Sequence, residues 1–484
     1  MRIAFGNAPR SLLTGSLGLA LAAMAVGVGF QNSRPASAKM AKQASEGLRC
    51  QSVLPLRGGL DGVWMVNDNN PELIRAPGIL LSTFNGARFS GPHASHLNLP
   101  LSGRFDLFSH HVYAGKSDQL DSTLWLAVVA APAGEQPVRL RLLEGSTSLS
   151  QATRSGQLDA PFLPLPTLIA ETAEPVFAGP GSRVAGELLR GESTAAFPKE
   201  WSLSNADPRV LVTLPLPVEG LGPLLNGRNL QLRLESDGPV SLATLATYGS
   251  PDRPPSADVW RSLLDSGTLS PREHKPTPRG APGGITYSRV SGVQVGQRWQ
   301  ATLTSPGHEA LLVSDAPLSW PISSLERGTL GTGQVQTAEL KRFYPGTSWA
   351  AHGNYGVEYD LTLPLRNASD STVALDLALE SPVKADLPLG GLRFRSPPGP
   401  AVMFRGLIEV RGLDSPSARP AGVRRFHLVT RQGQEGPSLG RITLAPGIDR
   451  QVRVRLIYPA DATPPQVLSL LPVKQSPAIS SACP

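Results

Sequence analysis

Long helical periodicity is almost missing from this 484-residue chain, which argues against a helix bundle and a doubly wound α/β fold. Aromatic residues are scarce at 6% and prolines are spread throughout, a poor match for a transmembrane barrel with its aromatic girdles. Cysteine is rarer still, with only Cys50 and Cys483 present. Short catalytic signatures are missing as well. No nucleophile elbow, phosphate loop or dinucleotide fingerprint falls between a strand and a helix, and no helical His-Glu-x-x-His occurs. Ser381-Pro382-Val383-Lys384 fits a Ser-x-x-Lys string, but the Ser-Asp-Asn and Lys-Thr-Gly partners of such acyl-transfer enzymes are absent. Glycosidase carboxylate pairs need no short motif and stay open.

What is present points to β structure. Glycine (49) and proline (47) are abundant beside 40% hydrophobic residues, the mixture of short strands joined by many turns. The clearest stretch runs from Gly353 to Pro382. Tyr355, Val357, Tyr359, Leu361, Leu363 and Leu365 alternate, Arg366 to Ser371 are polar turn formers, and Val373, Leu375, Leu377 and Leu379 resume the alternation. A period of two buries one face of each run, and the pair reads as an antiparallel hairpin. Leu124 to Ala130 followed by Val138 to Leu142 echoes that layout. Asn67 to Pro71 and Arg75 to Gly78 read as turns, and Asp237-Gly238-Pro239 reads as a turn between two strands. One short helix is expected around Val184 to Arg190. A better one is capped by Ser256, carries Val259, Trp260, Leu263 and Leu264 as its apolar stripe, and stops at Gly267.

The length suits two cores. The expected organisation is mainly β, with two antiparallel β-sandwich-like domains, residues 50–250 and 285–475, and a helix-and-loop connection over 251–284. Ahead of them, Arg2 and Arg10 precede an apolar run from Leu12 to Phe30 and the small residues Ala36-Ser37-Ala38. This reads as a secretory signal over 1–38, with an uncleaved anchor as the other reading, followed by a linker over 39–49. An exported chain with one cysteine near each end suggests a Cys50–Cys483 disulfide that joins the termini through the 476–484 tail; free thiols are the alternative.

The segments YSRVSGVQVGQRWQATL (287–303), GTGQVQTAELKRFYPGTSWAAHGNYGVEYDLTLPL (331–365), GQEGPSLGRITLAPG (433–447) and YPADATPPQVLSL (458–470), with GRFDLFSHHVY at 103–113, resemble a family of exported cyanobacterial proteins of unknown function. The resemblance implies an exported, envelope-associated protein and no particular activity.

Two sets of residues carry candidate chemistry. From Gly391 to Ala460 there are twelve arginines, four acids and no lysine, a net +8; the whole chain carries +7, and +4 once the three leader arginines are removed. Arg393, Arg395, Arg424, Arg425, Arg453 and Arg455 are the expected binding residues, because arginines alternating with apolar residues share the solvent face of their strands. Their planar forks suit carboxylate and phosphate groups. His93, His96, Asp106 and His110 are weak candidate metal ligands, and no metal site is expected of them, because His110 and His111 point to opposite faces of a strand. The chain is therefore expected to be a non-enzymatic envelope protein that needs no cofactor, has no membrane span once the leader is removed, and binds an anionic envelope polysaccharide or another envelope component through its arginines; nucleic acid is not an expected partner, because aromatic residues do not interleave with these arginines. The alternative is a polysaccharide-acting envelope enzyme with its site near residues 91–113.

Overall fold

The computed structural model describes residues 45–115, 123–151, 159–172, 174–204, 207–417 and 419–473. The expected leader and the tail with Cys483 lie outside them, and so does any test of the Cys50–Cys483 bridge. The described chain is mainly β, in several sheets, with two α-helices, Pro180–Arg190 (α1) and Ala257–Ser266 (α2). The architecture is β-sandwich-like, with two large apolar cores each enclosed between sheets.

The first stack of sheets is organised around one strand of 24 residues, Leu225–Tyr248. Asp237-Gly238-Pro239 does not reverse the chain as expected. The ladder shifts register between Ser236 and Val240 and the strand bends from one sheet into the other. Proline brings no N–H and glycine no Cβ, so the ladder is interrupted there without a turn. The half before the bend lies between strands Leu101–Ala114 and Val138–Leu149. The half after it lies between Thr123–Pro132 and Gly78–Ser82. Leu230, Leu232 and Leu234 from the first half and Leu242 from the second face each other in one core with Phe105, Leu107, Leu140 and Val128.

Helix α2 covers the back of the second sheet, where Trp260 and Leu264 pack on Trp125, Val129 and Leu245. Gly267 closes it at φ 62°, as its sequence suggests, but the Ser256 side chain makes no capping bond. Val259 is 44% exposed, so the buried stripe is narrower than expected.

The polar run Asn67 to Pro71, expected as a turn, lies inside the strand Trp64–Leu73, which pairs parallel to Leu101–Ala114. Buried partners from distant strands meet its first two side chains: the Asn67 amide donates to Gln294 Oε1 at 2.8 Å, and Asp68 Oδ2 meets His111 Nε2 at 2.9 Å. Local polarity signals a turn only when such partners are lacking.

The second stack contains the stretch 353–382, and its two runs are not a hairpin. Strand Glu358–Arg366 pairs with Asp449–Ile457 in one sheet, and strand Val373–Glu380 pairs with Gln466–Pro472 in the other. The connection is an arch across the core, with Leu361, Leu363 and Leu365 facing Leu375, Leu377 and Leu379 in one cluster. Asn367 holds the arch by donating to Ser371 O at 2.8 Å and Leu444 O at 2.9 Å while its own oxygen accepts from Ser369 N. The echo behaves the same way: Thr123–Pro132 and Val138–Leu149 both pair with the long strand, at its two different halves.

Strands also cross the expected boundary at 251–284. Val290–Val295 and Leu340–Phe343 extend the first stack beside Trp64–Leu73. Ser52–Val53, Gly59–Leu60 and Leu168–Ala170 complete the second. The end of the expected linker is the strand Ser45–Cys50, paired with Gly391–Ser396.

Candidate functional site

The arginines of the second stack meet acids on neighbouring strands. Antiparallel register sets Arg455 opposite Asp360 on one side and Glu409 on the other. Arg455 bonds Glu358 at 2.7 Å and Glu409 at 3.1 Å. Arg425 also reaches Glu409, at 3.0 Å, and Arg453 grips both oxygens of Asp360 at 2.5 and 2.6 Å. Their side chains are 24%, 36% and 47% exposed for Arg455, Arg425 and Arg453, so this is a half-buried ladder of alternating charge. Arg393 and Arg395 share Glu46 of the first described strand, at 3.7 and 3.0 Å. Arg424 is exposed and lies opposite Val410, while its neighbour Arg425 lies opposite Glu409.

The ladder continues into the first stack. Glu358, 1% exposed, accepts from Arg455, from Arg298 at 3.1 Å, and from Arg233 of the long strand at 3.1 Å. Burial alone would raise the Glu358 carboxyl, but Arg233, Arg455 and Arg298 together pull it below its ordinary value. Arg233 also binds Glu144 at 2.8 Å and lies 3.8 Å from Asp106. Burial pushes the Asp106 carboxyl up to about 7 against the pull of Arg233. A side-chain hydrogen bond from Gln231 also opposes that rise, and the Gln297 amide donates to both Asp106 oxygens at 2.9 and 3.0 Å. Gln231 donating to Gly356 O and the stacked rings of Phe108 and Tyr355 complete the contact. The whole forms a clasp between the stacks.

The histidine candidates do not converge. His93 is exposed on a short 3-10 turn. His96 is buried, bonded through Nδ1 to Ser82 Oγ at 2.8 Å and stacked on Phe89, and burial followed by His93 lowers it to about 4. Asp106 belongs to the clasp, and His110 sits on the same face of its strand, lowered to about 4 by burial. Among the described residues the acid and histidine atoms that do cluster are those of Glu72, Glu273 and His274. There Glu72 accepts the backbone N–H groups of Glu273 at 2.6 Å and His274 at 2.9 Å, which ties down the connecting loop.

The expected connection forms one wall of an open groove of about 60 Å³. Pro276 and Tyr287 line it from one side, Glu326 and Arg327 from another, and Trp349 and His352 from a third. Tyr287 is 39% exposed and its ring tilts against His352 at 4.7 Å. Arg279 lies over Trp349 at 4.5 Å and binds Glu339 at 2.7 Å. Beneath, Ser348 Oγ and His352 Nε2 are 2.9 Å apart. The Ser288 backbone holds the imidazole as well, and burial lowers it to about 3. Among the described residues no carboxylate stands behind this hydroxyl–imidazole pair, which braces the groove wall.

The family described as protein of unknown function (DUF3370) matches residues 51–472. The chain belongs to DUF3370. The resemblance to an uncharacterised family therefore stands, and DUF3370 membership brings no activity with it. The comparison with curated proteins found no match. Among solved structures, this DUF3370 chain is similar to one described as "Structure of the N-terminal CBM22-1-CBM22-2 tandem domain from Paenibacillus barcinonensis Xyn10C". Identity is 10% over 84% of this chain and 100% of that chain, with a TM-score of 0.13, and a likeness at that score carries no argument.

Sequence reasoning about the DUF3370 chain missed the groove, because its wall is assembled from three separated loops. The only local signal was Tyr287 at the end of a proline-rich loop. It also missed the clasp acids Glu358 and Asp360, which stand in plain view in the alternating run but acquire their arginines through register.

Proposed function

We propose that the protein is an exported, non-catalytic envelope protein that binds a polysaccharide chain in the groove between Tyr287 and Trp349. The observation that carries this is two aromatic rings beside one open groove with charged, hydrogen-bonding neighbours, Glu326, Arg327 and Arg279. A sugar presents C–H faces that pack on aromatic rings and hydroxyls that bond to charged groups at the rim. Arg327, which lines the groove and donates to the Ala281 carbonyl instead of an acid, supplies a cation for a uronate or phosphate on the chain, which keeps the anionic class of polymer as the favoured ligand. The six arginines expected to bind it support the reading less, because five of them face acids of this same chain. In this reading the two stacks serve as two sandwich domains that share strands and hold the groove loops in a fixed geometry.

The test is retention of the purified mature protein on insoluble envelope polysaccharide, neutral and acidic preparations side by side. Trp349→Ala and Tyr287→Ala should each weaken binding by about tenfold, the loss of one stacking contact of about 1.4 kcal/mol. Unchanged retention in both variants contradicts the proposal. Release of new reducing ends during incubation would favour the enzyme instead.

A further inference from the structure

The core between the two sheets of the first stack is largely apolar, and a small cavity in it has polar walls. There Arg228, Ser109 and Thr244 border a cavity of about 10 Å³ whose other walls include Leu126, Val128 and Leu214. The three polar residues come from both sheets. Arg228 stands on the first half of the long strand, Ser109 on the strand beside it, and Thr244 on the half after the bend. Each is buried, at 5%, 5% and 3% exposure.

Arg228 donates from Nε to Pro215 O at 2.8 Å and from Nη1 to Thr147 Oγ1 at 3.0 Å. Both acceptors are neutral. Among the described residues no carboxylate lies within ion-pair distance of this guanidinium. Asp68, two strands away in the same sheet, is bonded to His111 instead. The Thr244 hydroxyl is buried without a hydrogen-bond partner. A cation buried among apolar side chains is costly unless a counter-charge reaches it, and proteins rarely leave one so.

We infer that this cavity binds one monovalent anion of chloride size, held by the Arg228 guanidinium and the hydroxyls of Ser109 and Thr244. Size and charge select that class. The space takes one small particle at most, which excludes a carboxylate-bearing metabolite, sulfate or phosphate; a chloride, slightly wider than water, enters with a small outward shift of the flexible lining side chains such as Leu126 and Leu214. A water molecule would satisfy the hydroxyls and leave the guanidinium charge unbalanced, whereas a halide answers all three groups. Burial lowers the Arg228 pKa to about 9, and a bound anion would work against that fall by favouring the charged form.

The experiment uses the mature protein in halide-free buffer, with sodium chloride, sodium bromide or sodium sulfate added at matched ionic strength. Chloride and bromide should raise the thermal midpoint saturably, by about 2 °C, with sulfate giving no saturable rise. A crystal soaked in bromide should show an anomalous peak between Arg228 and Thr244. Arg228→Met should abolish the halide response. Should that variant fail to fold, the double variant Ser109→Ala with Thr244→Val should weaken the halide response about tenfold. Equal effects of chloride and sulfate, with no bromide peak in the cavity, would show that the site holds water and overturn the inference.

Discussion

Arg228 and Arg233 lie five residues apart on one strand, both largely buried, and they differ in everything around them. Odd spacing in a strand sends them to opposite faces. Arg233 faces the second stack and meets Glu358, Glu144 and Asp106. Arg228 faces the leucine-lined core and bonds two neutral oxygens. The first arginine is a structural member of a charge ladder, and the second is an unbalanced charge in a cavity. The presence of a buried arginine therefore says little by itself; the acids on the strands alongside decide its role.

The largest effect is expected from removing the carboxylate that Arg233 shares. Glu358→Ala removes the buried acid that Arg233, Arg298 and Arg455 share and should cost about 3–5 kcal/mol of unfolding free energy, read from urea unfolding. A loss below about 1 kcal/mol would mean that water already screens the junction.

A smaller effect comes from pH. Burial holds His96, His110 and His427 near 4 and His352 near 3, below the unfolded value of about 6.5. The unfolded chain then binds protons that the folded chain refuses. Stability contributed by these groups is complete above about pH 6.5 and is lost as pH falls toward 4. Asp106, raised to about 7, works in the opposite sense, stabilising the fold as pH falls from about 7 toward 4. Replacing His427 with Gln should flatten the acid slope, by on the order of 1 kcal/mol at pH 5. An unchanged slope would show that this imidazole is protonated in the folded protein.

The smallest effect sharpens the comparison most. Arg228→Met leaves no acid unpaired, so in halide-free buffer it should change stability by less than about 1 kcal/mol. Arg233→Met leaves Glu144 and Asp106 short of a partner and should cost about 2 kcal/mol or more. Equal costs would erase the distinction between the two arginines.

Strand periodicity made the β character legible, and with it the core positions of residues such as Leu361 and Leu377. Period alone could not say which strands pair. Leu365 and Val373 belong to consecutive runs with the pattern of a hairpin, yet the chain carries them to opposite sheets because both faces of the core need covering. The sequence around Gly238 predicts a reversal where the strand only bends, for the same reason: turn chemistry marks an interruption of the ladder, while the surrounding strands decide whether the chain folds back. At the candidate sites, the concentration of arginine was visible and its neutralisation was not. Asp360 and Arg453 lie 93 positions apart, a distance that no local pattern spans.

The arginines of the second stack hold the fold together. Arg453→Glu combined with Arg455→Glu tests this most directly, with thermal unfolding and retention on acidic envelope polysaccharide measured on the same samples. The double reversal sets new carboxylates beside Glu358, Asp360 and Glu409. A loss of about 3–5 kcal/mol of stability is expected, with retention per folded molecule unchanged. An intact unfolding midpoint together with lost retention would contradict it.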